Sequence, residues 1–232
     1  MSQETYVETF DQGAGGWCGY ISNSAGPKSL ELSSGVAISR SPWWIDYNHA
    51  PPGAGYLHML FCLGTKGPEG EHLFDTAGRS RFIAGGYPTN FSNTRVTLRL
   101  RGELEPRGAE LVLLIQGNVE GRTSGWLLTG KPFPVTRDWS EPSVTLEANP
   151  ANWKCLGSRH NRSDMYGTTE LPRILTNVNV NIMLVLFPLT IAPMGAINGD
   201  PHLLRAGKDY PVWTSKLPEG YVELDTVQIE FP

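Results

Sequence analysis

The chain has 232 residues, of which 40% are hydrophobic and only 18% are charged, and its formal net charge is −4. This composition supplies a sizeable core and argues against a disordered chain or a coiled coil. The 26 glycines and 18 prolines interrupt the chain too often for many long helices. Because the chain is slightly acidic and has no cluster of Lys and Arg, we expect no nucleic-acid partner.

Apolar and polar residues alternate with a period of two along much of the chain, which is typical of half-buried β-strands. The runs at 57–63 and 110–116 are almost continuously apolar, which predicts central strands covered on both faces. One short helical turn is expected at 170–175. In chain order, the predicted strands cover residues 6–10, 36–39, 57–63, 94–100, 110–116, 125–129, 143–147, 178–186 and 221–231.

Gly- and Pro-rich turns separate these strands, which predicts an all-β fold. We expect a single domain over residues 1–232, built as a two-sheet antiparallel β-sandwich of the jelly-roll type with roughly nine or ten strands. Long loops are expected at 41–55, 156–171 and 192–218. Loops of this length in a compact domain are usually functional or need their own packing.

The two ends of the chain carry motifs that resemble those of galactose-binding-like β-jelly-roll domains. The segment ETFDQGAGGW (8–17) is similar to their opening strand and Gly-Trp turn, and GYVELDTVQIEF (220–231) is similar to their last strand. The order of the strands between them resembles laminin IV-type domains and carbohydrate-binding modules. The resemblance implies a sandwich fold, but likeness of fold does not by itself transfer function.

The same resemblance implies a structural calcium ion that ties the first strand to the last. Glu8 or Asp11 would act together with Asp225 at the matching positions. Calcium requires six to eight oxygen ligands, and few carboxylates lie near the chain ends. The alternative is that Asp225 caps a turn or pairs with a surface base.

Residues 41–60 concentrate aromatic and polar side chains in a short span. Aromatic rings stack on the apolar faces of sugars, whereas Asp, Asn and His can bond the hydroxyls of a sugar or similar polyol. The alternative is that the tryptophans cap the core and that the first histidine bonds a backbone carbonyl. The candidates in this segment are Trp43, Trp44, Asp46, Tyr47, His49, Tyr56 and His58.

A second polar segment, 157–167, contains Arg159, His160, Arg162 and Tyr166. An arginine fork beside a histidine suits a carboxylate or phosphate ligand, and also proton transfer next to a carboxylate. The alternative is a solvated polar loop without a ligand.

Polar residues of several strands would share one open sheet face if neighbouring strands align. Such a face is expected of a binding groove, but equally of an ordinary solvated face of an antiparallel sheet. The residues concerned are Tyr56, His58, Gln116, Trp126, Asn179 and Asn181.

No nucleophile elbow, Walker loop, dinucleotide fingerprint or HExxH motif occurs in the sequence. We therefore expect a protein that binds a small molecule or carbohydrate. The alternative is a small lyase, hydrolase or isomerase that acts on a sugar or small acid. The bases would then be His49, His58 or His160, the proton donors Tyr56 or Tyr166, and the anion clamp Arg159 or Arg162.

A third hypothesis is that the protein is an assembly subunit. Residues 192–218 would then dock on a neighbouring subunit, for example in a homo-oligomer. The first residues show no secretory pattern and no apolar stretch is long enough for a bilayer, so we expect a cytoplasmic protein without a membrane partner. The three cysteines form no CxxC pair, and Cys62 is predicted to be a small buried residue.

Overall fold

The computed structural model describes residues 4–47, 53–67, 74–157 and 165–232. Two antiparallel β-sheets pack face to face as a sandwich with little helix, which confirms the predicted fold class. Each of the predicted strands is present. The structure adds short strands that the sequence did not predict, most of them in the first 46 residues of the chain.

The strands divide between a six-stranded and an eight-stranded sheet. The six-stranded sheet contains β1 Thr5–Glu8, β4 Glu31–Ser33, β5 Val36–Arg40, β8 Arg95–Glu105, β11 Ser143–Thr145 and β14 Glu219–Glu230. The eight-stranded sheet contains β2 Trp17–Ser22, β3 Gly26–Lys28, β6 Trp44–Asp46, β7 Tyr56–Gly64, β9 Glu110–Val119, β10 Arg122–Leu127, β12 Lys154–Cys155 and β13 Asn181–Leu189.

The last strand organises the six-stranded sheet. β14 pairs with β8 along its whole length on one side, and with β5 and β1 in succession on the other. In the eight-stranded sheet the order is β12-β10-β9-β13-β7-β2-β3, and β6 also pairs with β7. Both ends of the chain therefore meet in one sheet.

Helices are few and short in the described part of the chain. They are α1 Phe74–Ala77, α2 Arg81–Ala84 and α3 Leu171–Leu175, with 3₁₀ turns at Pro150–Asn152 and Pro201–Leu203. The helix α3 confirms the turn predicted at 170–175. Among the described residues, no helix has the length and apolar character needed to cross a membrane.

The main core lies between the two sheets. On β13, Ile182, Leu184 and Leu186 point into it, whereas Met183 and Val185 belong to a second apolar cluster on the opposite face. The eight-stranded sheet is thus covered on both faces, and β7 and β9 are buried almost throughout, as their continuous apolar runs predicted. We call the side of this sheet that faces away from the sandwich its outer face.

A β-bulge at Leu60 reverses the alternation along β7. Leu184 of β13 pairs with Phe61, but the next residue, Val185, pairs with Met59, so Leu60 is left without a partner on β13. Leu60 and Phe61 both belong to the main core as a result.

The carbonyl of Leu60 connects the two sheets. The Ser39 hydroxyl on β5 donates to it at 2.9 Å, and the indole N–H of Trp43 donates to Ser39 Oγ at 3.0 Å. This chain of bonds satisfies buried polar groups at the bulge and fixes Trp43 on the inner side of the sheet.

Candidate functional site

A cleft of about 360 Å³ lies on the outer face of the eight-stranded sheet. Its base is set by strand register, because Gln116 on β9, Asn181 on β13 and Gly64 on β7 lie directly opposite one another. Side chains of directly opposed residues emerge on the same face of a sheet. Gly64 has no side chain, which leaves space above it.

Aromatic and apolar side chains form part of the cleft lining. The rings of Tyr20 and Trp44 are stacked with their centroids 5.6 Å apart and an interplanar angle of 29°. Met59, Cys62 and Met183 continue this surface. Small-molecule sites typically combine such apolar walls with a few polar groups and occupy about 300–1,000 Å³.

Polar side chains also line the cleft, among them Gln116, Asn181, Thr123 and Tyr166. Asp46 reaches the cleft from β6. Gln116 and Asn181 are buried, with 6% and 9% of their surface exposed. The cleft therefore combines apolar and polar surface, as a ligand with both kinds of surface requires.

Two buried polar atoms of the cleft have no hydrogen-bond partner among the described residues. They are the indole nitrogen of Trp44 and the amide oxygen of Asn181. Leaving such a group unpaired in a buried position costs about 1–3 kcal/mol. One atom donates and the other accepts, so a ligand with hydroxyl groups could satisfy both.

The two long loops predicted to carry the site approach each other. The backbone N–H of Ala54 donates to the carbonyl of Leu156 at 3.0 Å. From the loop at 41–55 come Trp44 and Asp46, and Tyr166 comes from the loop at 156–171; all three line the cleft. His49, Arg159, His160 and Arg162 lie outside the described residues.

Part of the predicted shared sheet face is corrected by the structure. Gln116 and Asn181 do share the outer face, but Trp126 lies opposite Ile115 and packs against the main core. Tyr56 and His58 also face inward, since the bulge at Leu60 shifts the first half of β7 by one residue. Asn179 instead bonds the backbone of Asn118, with its Oδ1 accepting at 2.7 Å and its amide donating at 3.2 Å.

His58 is buried on the inner side, with 1% of its surface exposed. Its Nδ1 lies 3.3 Å from the carbonyl oxygen of Trp44. Burial lowers the pKa of His58 to about 4, although the contact with the Trp44 carbonyl opposes this shift. A neutral imidazole outside the cleft does not fit the role of base for a ligand bound in it.

Tyr47 and Tyr56 also lie away from the cleft. Tyr47 stacks on Trp213 at 5.9 Å, and Tyr56 meets the same indole edge-on at 5.6 Å. Tyr210 completes this group, since its hydroxyl donates to the Trp43 carbonyl at 2.8 Å and accepts from the Ile45 N–H at 2.5 Å. These aromatic residues hold the loop at 192–218 against β6 and β7.

A pair of thiols lies beneath the cleft. Cys18 on β2 and Cys62 on β7 are directly opposed and both free. The hydrogen bond with Cys18, together with burial, raises the pKa of the Cys62 thiol well above its ordinary value. Cys62 is therefore a neutral, apolar part of the cleft surface and not a nucleophile, in agreement with its predicted buried role.

The carboxylates predicted to bind calcium are engaged separately. Both oxygens of Glu8 accept from the Arg81 guanidinium, and Oε1 also accepts from the Phe10 N–H at 3.0 Å. Asp11 accepts from the Thr9 hydroxyl at 2.9 Å. Asp225 forms an ion pair with Arg99 at 3.1 Å, which confirms the alternative stated for it.

A positive guanidinium thus stands where a cation would have to bind Glu8. In the part of the chain that the structure describes, no three His, Cys, Asp or Glu side chains cluster as metal ligands. The geometry around Glu8 offers a closed ion pair and no calcium site.

Sequence reasoning missed several residues of the cleft. Tyr20 belongs to a strand that was not predicted, and Met59, Cys62 and Met183 lie on predicted strands but were not among the candidate site residues. The alternation along 178–186 did place Asn181 and Met183 on one face. Pairing that face with the matching face of 57–63 would have identified Cys62.

Comparison of the chain with protein-family models and with curated proteins finds no match.

Proposed function

We propose that this protein binds a small polar molecule, such as a carbohydrate or a similar polyol, in the cleft on the outer face of the eight-stranded sheet. The observation that carries the proposal is the presence of two buried atoms in one cleft without partners among the described residues, Trp44 Nε1 and Asn181 Oδ1. A hydroxylated ligand would accept from the indole and donate to the amide oxygen. The unpaired atoms would then gain the partners they lack.

The aromatic residues that line the cleft support the same class of ligand. The stacked Tyr20 and Trp44 present ring surface beside Met59 and Met183. Sugars and related polyols have apolar C–H faces as well as hydroxyl groups, so they match both the apolar and the polar residues that line the cleft. We also propose that the likeness to galactose-binding-like domains reflects the fold, and the pairing of β1 with β14 supports this.

The first experiment is a thermal-shift screen of neutral and acidic mono- and disaccharides, followed by titration calorimetry. A ligand that binds only the folded state raises its stability, by about 2.7 kcal/mol at one hundred times its Kd. A panel without any binder would contradict the carbohydrate proposal. Loss of a bound sugar with formation of product in the same samples would favour the enzymatic alternative.

Variants of the two unpartnered atoms then locate the site. Trp44→Phe keeps an aromatic ring but removes the N–H donor, and Asn181→Leu removes the acceptor at similar volume. Each should weaken binding about tenfold. No hydrogen bond within the described protein is lost, but Trp44→Phe removes buried ring volume and therefore also costs some folding stability.

Trp153→Phe is the matched control. Its indole N–H donates to the Glu147 carbonyl at 2.9 Å, and Trp153 is not among the residues that line the cleft. We expect this variant to lose about 1 kcal/mol of stability and to keep full ligand affinity. The opposite pattern, with affinity unchanged in Trp44→Phe and Asn181→Leu, would contradict the placement of the ligand.

A further inference from the structure

A second cavity of about 520 Å³ opens on the other side of β6 and β7, beneath the loop at 192–218. Its wall is largely apolar, and the exposed Lys216 and Glu219 stand at its rim. This cavity shares no lining residue with the cleft. The lining that matters for the argument consists of Pro42, Trp43, His58, Pro211, Trp213 and Pro218.

His58 lines this cavity, and its ring carries a buried hydrogen-bond acceptor without a partner among the described residues. A carbonyl oxygen can only accept, so the contact between His58 Nδ1 and the Trp44 carbonyl requires the hydrogen on Nδ1. The Nε2 atom of the neutral ring then carries a lone pair. Nε2 is buried and has no partner among the described residues.

Trp213 lines the same cavity. Its indole N–H is buried and also has no partner in the described part of the chain. The ring of Tyr47 stacks on this indole, and Tyr56 meets it edge-on. The residues that line the cavity thus supply one buried acceptor and one buried donor within a largely apolar surround.

We propose that this cavity binds a small aromatic alcohol of the phenol class, whose hydroxyl donates to His58 Nε2 and whose ring packs among the prolines and tryptophans. A hydroxyl is both a donor and an acceptor, so it can also receive the Trp213 N–H. Because burial keeps the imidazole neutral, the site has no positive charge from His58 and does not favour a carboxylate or phosphate. The proposal is independent of the function assigned to the cleft.

The test uses the full chain with phenol and toluene as probes, since the two differ only in the hydroxyl group. Titration with observation of the tryptophan indole N–H signals by NMR should show phenol binding about tenfold more tightly than toluene. The Trp213 indole signal should shift with phenol. Equal affinity for the two compounds, or no shift of that signal at saturation, would overturn the proposal.

Two variants of His58 distinguish the role of the Nε2 acceptor in binding from any effect of the substitution on folding. In His58→Asn the amide nitrogen can keep the bond to the Trp44 carbonyl, but no acceptor remains at the Nε2 position. In His58→Gln an amide oxygen can take that position. We expect His58→Asn to lose the preference for phenol over toluene and His58→Gln to keep most of it.

Loss of the preference in both variants, or in neither, would contradict a specific role for Nε2. Far-ultraviolet circular dichroism establishes that each variant is folded. If a variant does not fold, the comparison of phenol with toluene on the unaltered chain still decides the proposal.

Discussion

Acidification should destabilise this protein through His58, and the size of the effect follows from its burial. The folded-state pKa of His58 is about 4, below the ordinary value of 6.5, because burial disfavours the charged ring. Between these values the unfolded chain binds more protons than the folded one, so stability is full above pH 6.5 and falls as the pH drops toward 4. From pH 7 to pH 5 the loss from this one group is about 2 kcal/mol.

Urea unfolding at pH 7 and pH 5 measures this loss, with His58→Asn as the reference. The other titrating groups contribute equally to both chains, so the difference in their pH dependence isolates His58. We expect the unaltered chain to lose about 2 kcal/mol more than the variant between the two pH values. An identical pH dependence in the two proteins would refute the assignment of a buried, neutral imidazole.

Three further changes test individual bonds that stabilise the fold. Arg81→Gln should cost about 3 kcal/mol in urea unfolding, because it leaves the buried carboxylate of Glu8 without its cation; a loss below about 0.5 kcal/mol would be typical of a surface pair instead. Tyr210→Phe removes the hydroxyl that bonds the backbone of Trp43 and Ile45, and should cost about 1–3 kcal/mol and speed proteolysis within 192–218. Trp43→Phe breaks the bond to Ser39 and should cost about 1 kcal/mol, and no change in its melting curve would contradict that bond's role.

The alternation of apolar and polar residues was sufficient to predict the fold class and the longer strands. On β13 the alternation correctly separates Ile182 and Leu184 from Asn181 and Met183. The short strands β3, β4 and β6 have three residues each, too few for a period to be recognised. Their pairing depends on neighbouring strands, and no local pattern encodes it.

The candidate site was predictable only in part, because register is a non-local property. Strict alternation backward from Gly64 would place His58 on the outer face, the same face as Gln116 and Asn181. The bulge at Leu60 prevents this, and nothing in the run of apolar residues marks its position. The adjacent tryptophans illustrate the same limit: the sequence indicated both as ligand-binding residues, but Trp43 points into the core and Trp44 into the cleft.

The extra residue in β7 decides which side chains of this strand face each of two hollows on opposite sides of the sheet. Beyond Leu60 the strand contributes Cys62 and Gly64 to the outer hollow, and before it Met59 faces the outer hollow and His58 the inner one. Deleting that one residue would reverse the facing of the residues before it, so the imidazole would exchange sides with the methionine and leucine beside it. The chemistry that each hollow receives from β7 therefore depends on a single-residue insertion.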